Sequence, residues 1–327
     1  MRLNSRGRFL AWGLTILAGL AVTVALVVPS HAGAAAPLGQ SALIPSQPAA
    51  SSPRPAASSS QHAVPPPQHA VSAPPVRVLG GELVDLSTGT VMWSQDANVP
   101  RPMGSITKVM TALLVLRAGD LNREITVTNA AVQYVQEDGA SSAGLIAGDV
   151  LTAQQLLEAM LLPSGCDAAY LLANAYGPGL PAFIAKMNAM AKALDMTSTH
   201  FSWFDGMPYP TEYSTYSSPA DLLRLGVAAM RNADFRSIVG QYSYYLPATA
   251  LHHSYLWYTT NGLIGSYRGA VGIKTGDTIA AGNCLLFGAV RDRGTLIGVV
   301  LYARPSSDPN SAITAGAQLL NWGYAQL

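Results

Sequence analysis

From residue 78 onward the chain alternates between two hydrophobic rhythms. VRVLGGELVDLSTGTVMWSQ reads as two short strands joined at Ser87-Thr88-Gly89, a hairpin pattern. In SITKVMTALLVLRAG the period changes to that of a helix. Ile106, Met110, Leu113 and Leu114 fall on one face, and Gly119 follows the last turn. TAQQLLEAMLLPSG predicts a helix capped by Thr152 and halted at Pro163. CDAAYLLANAYG predicts another, ending at Gly177, and LPAFIAKMNAMAKALDM a third. SSPADLLRLGVAAMRN predicts a helix with Ser218 as cap and Pro219 at its first position. Strand-like runs then return in GAVGIKTG, NCLLFGAV and GTLIGVVLYA, with Arg291-Asp292-Arg293-Gly294 as a tight turn, before SAITAGAQLLNWGY closes as a helix.

Strands, many helices, strands and a final helix describe an α+β domain. Strands over 80–95 and 271–302 are expected to share one mainly antiparallel sheet, because tight turns join neighbours. The central helices form a second, all-helical lobe, and the cleft between the two is the expected substrate site. No internal repeat is evident.

The first 75 residues belong to neither rhythm. Three arginines in MRLNSRGR precede twenty uncharged, mostly apolar residues, FLAWGLTILAGLAVTVALVV. That order is an export signal, and its length also suits a membrane anchor; residues 1–36 fit both. Residues 37–75 are dominated by Pro, Ala, Ser and Gln, which cannot bury enough surface to offset ordering, so they read as a disordered linker. The chain from 76 to 327 is then one extracytoplasmic folded domain, secreted or held by the N-terminal segment. All eighteen acidic residues, but only fifteen of the nineteen basic ones, follow residue 76. This balance carries no footprint for nucleic acid.

Three short motifs carry the chemistry. Ser105 and Lys108 stand three apart at a helix start, so the amine reaches the hydroxyl. A lysine activates a serine only as a free amine, which burial and a second cation favour. Alone, the pair also fits a capping serine and a solvated lysine. Lys274-Thr275-Gly276 sits on a strand: lysine and threonine suit a carboxylate, and Gly276 would allow close approach of a substrate. The same motif fits an edge-strand lysine before a turn. Lys274, one of only four lysines, is also the candidate second cation beside Lys108. Ser164-Gly165-Cys166 breaks two helices, with Ser164 able to relay a proton. His200 and the pair His252-His253 lack metal-ligand spacing, and neither a metal nor another cofactor is expected.

The order of these motifs, separated by about 60 and 110 residues, resembles the serine D-Ala-D-Ala carboxypeptidase/transpeptidase family of low-molecular-mass penicillin-binding proteins. PRPMGSITKVMTALLVL, MNAMAKALDMTSTHF, YSTYSSPADLLRLGVAAM, GIKTGDTIAAGNCLLFGAV and AQLLNWGY extend the likeness across 76–327. The resemblance implies a DD-peptidase/serine β-lactamase-like fold. It makes Ser105 the nucleophile toward the D-Ala-D-Ala end of a peptidoglycan stem peptide, with Lys108 its base and Ser164 the relay. The backbone N–H groups of Ser105 and Asp277 form the oxyanion hole, and Lys274 and Thr275 hold the terminal carboxylate. Arg304 falls where members carry an arginine near that carboxylate, and a stray surface arginine fits the position equally.

It further implies a monomer acylated covalently by β-lactams. A β-lactamase is disfavoured, because the only glutamate after Ser164 is Glu212, outside any deacylating pattern. A module that binds cell-wall peptide or β-lactam without turnover is the other alternative. With the chain ending at Leu327, anchoring falls to the N-terminus.

One position departs from the pattern. Cys166 stands where the third motif usually ends in Asn, although some members, of a transpeptidase-leaning type, carry Cys. Lining the site is the leading reading, ahead of a disulfide with Cys284, a second nucleophile or a metal ligand. A thiol donates and accepts weakly, so weaker hydrolysis, slower penicillin capture and a reagent-accessible thiol are expected.

Overall fold

The computed structural model describes residue 72 and residues 74–327. The export segment and nearly all of the linker lie outside them. The first hairpin is β1 (Gly80–Asp85) and β2 (Thr90–Gln95). Asp85 closes it by accepting from Ser87 N at 2.9 Å and Thr88 Oγ1 at 2.8 Å.

The stretch expected to be one helix divides into a single 3-10 turn, Gly104–Thr107, and α1 (Lys108–Ala118). Met110, Leu113 and their neighbours are buried almost all round, and Leu114 is the half-buried side. Such a helix is the axis of a lobe rather than its cover. Around it come β3 (Glu124–Thr126), α2 (Asn129–Glu137), β4 (Val150–Thr152), α3 (Ala153–Leu161), α4 (Cys166–Tyr176) and α5 (Leu180–Ala193). Thr152 caps α3 as the pattern predicts, and Gln155 completes a reciprocal capping box. Then follow α6 (Pro219–Met230), capped by Ser218, α7 (Ala233–Val239), and the hairpin β5 (Ser243–Leu246) and β6 (Tyr255–Tyr258).

The chain ends with β7 (Ala270–Thr278), β8 (Gly282–Arg291), β9 (Gly294–Ala303) and α8 (Ser311–Gln326). The five-stranded sheet runs β2-β1-β9-β8-β7, and every neighbouring pair is antiparallel. Both ends of the domain therefore meet at β1 and β9, as expected.

Period two on β8 divides its side chains between two cores. Leu285 and Phe287 join Leu319 and Leu320 of α8 on one face, while Leu286 joins Leu222 and Leu225 of α6 on the other. All are fully buried, worth about 1.5–3 kcal/mol each. Truncation of Leu286 to Ala would cost about 2–5 kcal/mol. A strand buried on both faces explains why NCLLFGAV reads as a continuous apolar run. His200 serves structure, its backbone bridged to Tyr216, and His253 pairs with the buried Asp149.

Candidate active site

Two glycines bring the Ser105–Lys108 turn and the Lys274-Thr275-Gly276 strand together. Gly104 holds φ at +54°, and a Cβ there would lie 2.6 Å from Asp277 N. A Cβ on Gly276 would lie 2.3 Å from Met103 O and 3.0 Å from Ser105 N. Only with both side chains missing can the 3-10 turn lie flat on β7. The sequence reading gave Gly276 to substrate approach; in the structure its bare Cα faces protein backbone.

The Ser164-Gly165-Cys166 turn is clamped from outside. Cys166 N donates to Ser141 O at 2.7 Å. The buried Asp167 accepts from Ser142 Oγ at 2.7 Å, Ala143 N at 3.0 Å and Leu145 N at 3.3 Å. Ser164 sits at φ +67°, a left-handed conformation that a non-glycine residue holds only where its surroundings impose it.

These constraints converge on Lys108, which is fully buried at the first turn of α1. Its Nζ lies 2.7 Å from Ser105 Oγ, 3.2 Å from Cys166 Sγ and 3.4 Å from Ser164 Oγ. Ser105 is half-buried, at the edge of the group. Lys274 is 1% exposed, and its Nζ donates to Thr275 O at 3.1 Å. Thr275 Oγ1 shares a 2.6 Å hydrogen bond with Thr260 Oγ1. Burial, and then the charge of Lys108, push the Lys274 ammonium down to about 7, while Asp277 and Cys166 pull the other way.

Cys166 lines the site but is not open to it. It is 1% exposed, and burial pushes its thiol up to about 12, against the opposing pull of Lys108. The expectation of a reagent-accessible thiol is overturned by the loop that Asp167 clamps over it. Cys284 is also buried, and both cysteines are free, so the disulfide alternative falls. Arg304 stays at the surface past the end of β9, its guanidinium 5.4 Å from the centroid of Tyr302 and its backbone N bonded to Arg77 O. No hydrogen bond or ion pair joins it to Lys274 or Thr275.

A cavity of about 690 Å³ is lined by Asp138, Ser141, Met207, Glu212, Asp277 and Thr278, and the backbone of Asp277 lies against Gly104. Among the described residues, no cluster of His, Cys, Asp or Glu could hold a metal ion.

Sequence reading missed a buried polar chain behind Cys166. Asp205 is fully buried, accepting from Tyr134 Oη at 2.8 Å and Met207 N at 2.9 Å. Trp203 Nε1 donates to the Tyr134 oxygen at 2.9 Å. The one available signal was an acid inside the apolar stretch FSWFDGM.

A family model described as D-alanyl-D-alanine carboxypeptidase matches residues 68–305. The chain belongs to that family. It is 39% identical over 264 residues to the D-alanyl-D-alanine carboxypeptidase of Streptomyces sp. (strain K15), covering 77% of this chain and 89% of that one. DacB2 of Mycobacterium tuberculosis (strain ATCC 25618 / H37Rv), named a D-alanyl-D-alanine carboxypeptidase, is 34% identical over 243 residues, 74% of this chain and 81% of its own. The crystal structure of the Streptomyces K15 DD-transpeptidase superimposes with a TM-score of 0.73 at 38% identity, covering 78% of this chain and all of that one. The expected DD-peptidase fold is thereby established. This D-alanyl-D-alanine carboxypeptidase family member is a serine peptidase of the extracytoplasmic cell wall, of a family acylated by penicillin.

Proposed function

We propose that Ser105 is the acylated serine and that Lys108 activates it. Ser105 Oγ attacks the carbonyl of the D-Ala-D-Ala bond at the end of a peptidoglycan stem peptide, and its proton passes to the free amine of Lys108. The oxyanion is met by the N–H groups of Ser105 and Asp277, and loss of such a donor costs about 100- to 1,000-fold. Ser164 relays the proton to the departing D-Ala nitrogen. Lys274, as ammonium, and the Thr275 hydroxyl hold the terminal carboxylate. Water or another stem's amine then takes the acyl group, giving the free acid or a new peptide bond.

The observation that carries this reading is the 2.7 Å approach of Lys108 Nζ to Ser105 Oγ in a pocket that also holds Ser164. β-Lactams mimic the substrate, acylate Ser105 and stay, because Glu212 makes no hydrogen bond or ion pair with Ser105, Lys108 or Ser164. The enzyme acts as a monomer outside the cytoplasm, delivered or tethered by its N-terminal segment.

Product analysis tests the reading. A diacyl-D-Ala-D-Ala tripeptide, incubated with and without a glycine-type acceptor, should release D-Ala and give free acid or new amide. Ser105→Ala should release none. Undiminished release by Ser105→Ala would overturn the assignment.

A further inference from the structure

Thr275, the hydroxyl assigned to the substrate's terminal carboxylate, has a neighbour from outside all three motifs. Thr260 Oγ1 lies 2.6 Å from Thr275 Oγ1, and Lys274 Nζ approaches the same oxygen at 3.4 Å. A hydroxyl has one hydrogen to give and two lone pairs to fill. With Lys274 and Thr260 both donating, the lone pairs are filled and the Thr275 hydrogen is left for a ligand. In the reverse arrangement Thr275 spends its hydrogen on Thr260 and turns a lone pair toward the anion, which is repulsive. A bound carboxylate therefore selects the first arrangement, with Thr260 as donor.

The backbone of Thr260 is held for that task. It follows β6, where Trp257 Nε1 donates to Ala143 O at 2.8 Å. Its own N–H donates to Leu162 O at 3.1 Å, two residues before Ser164. On the other side the buried Asn261 closes a turn, its Oδ1 accepting from Leu263 N at 3.1 Å. The main chain is thus tied to the Ser164 turn, while the exposed side chain meets β7.

We propose that Thr260 is a positioning residue of the carboxylate subsite: its hydroxyl donates to Thr275 Oγ1 and so commits the Thr275 hydrogen to the substrate's terminal carboxylate. A hydroxyl that accepts one hydrogen bond donates a stronger one, because each bond polarises the next. The gain exists only for a ligand that carries a negative charge at that point. Dependence on Thr260 is therefore specific to the carboxylate.

The inference rests on Ser105 as the acylated residue and on Lys274 and Thr275 as holders of the carboxylate. Its test compares benzylpenicillin, whose carboxylate stands for that of the terminal D-Ala, with its methyl ester, which keeps the β-lactam and lacks the charge. Acylation rates are read by intact mass for the wild type, Thr260→Ala, Thr260→Ser, Thr275→Ala and the Thr260→Ala/Thr275→Ala double variant. Tm is recorded for each. Because the Thr260 side chain is exposed, its alanine variant should fold with a Tm within about 2 °C of the wild type.

Thr260→Ala should slow acylation by benzylpenicillin about fivefold and acylation by the ester less than about twofold. Thr260→Ser keeps the hydroxyl and should restore the wild-type ratio of the two rates. In the Thr275→Ala background, removing the Thr260 hydroxyl should cost less than about twofold with either compound. Equal losses for acid and ester would overturn the proposal as a merely structural effect. So would a serine variant as slow as the alanine one, or a loss that adds in full to that of Thr275→Ala. If Thr275→Ala itself slows acid and ester equally, the carboxylate assignment beneath the proposal fails, and acylation that survives Ser105→Ala would sink the mechanism as a whole.

Discussion

Lys274 is deeply buried, and its ammonium is pushed down to about 7, by burial first and by the charge that Lys108 carries when protonated second. Only the ammonium attracts a carboxylate, so affinity for the substrate's terminal carboxylate should fall as pH rises through about 7. KM for a D-Ala-D-Ala peptide should rise about tenfold per pH unit above that point, with kcat less affected because bound carboxylate restores the proton. A flat KM between pH 6 and 9 would contradict this. The two thiols give a second expectation at this scale. Both are buried and both are pushed up to about 12, so neither forms thiolate at pH 8. Iodoacetamide should label no cysteine in the native protein and two after denaturation; native labelling of Cys166 would show that the loop clamped by Asp167 opens. Sequence identified Cys166 as a departure but misjudged its exposure. What buries it is the 141–145 loop, and no local pattern links that loop to Asp167, 22 to 25 residues away.

At the level of elements, the catalytic geometry depends on how closely a 3-10 turn approaches a strand. Gly276→Ala should push Met103 and Ser105 away from β7, because the new carbon would sit 2.3 Å from a carbonyl oxygen. Acylation of Ser105 by penicillin should fall at least about 100-fold, since displacement by an ångström suffices for that. Tm should fall as well, and an unchanged acylation rate would show that the turn can retreat without cost. The Lys-Thr-Gly spacing was legible, but the physical reason for its glycine was not, because the partner backbone is about 170 residues away in sequence. Long elements with clear periods were legible for the opposite reason: their patterns are local. The strands β3 and β4, three residues each, are too short to show a period, and α2 offers only Ala131 and Val135 to the core. Tyr134 on α2 acquires its meaning from Asp205, far along the chain.

For the whole molecule, the joining of its two ends in one sheet followed from tight turns and strand patterns, whereas the buried carboxylates of the helical lobe could not be foreseen. Glu158 is the clearest case. On α3, which reads as an ordinary amphipathic helix, it lies only 4% exposed, with Gln241 Nε2 donating to both its oxygens at 3.2 Å. Burial outweighs that amide and raises its carboxyl to about 7, from an ordinary value of 4.5. Between those values the folded protein keeps a proton that the unfolded chain has released. Stability should therefore decline as pH climbs from about 4.5 to 7 and stay at its lower level above. Glu158→Gln keeps an acceptor for Gln241 and removes the ionisation. Its Tm should exceed that of the wild type by roughly 3–6 °C at pH 8, and the difference should vanish near pH 4.5. Thermal unfolding of both proteins at the two pH values decides the matter, and a variant that gains nothing at pH 8 would mean that water already solvates the charge.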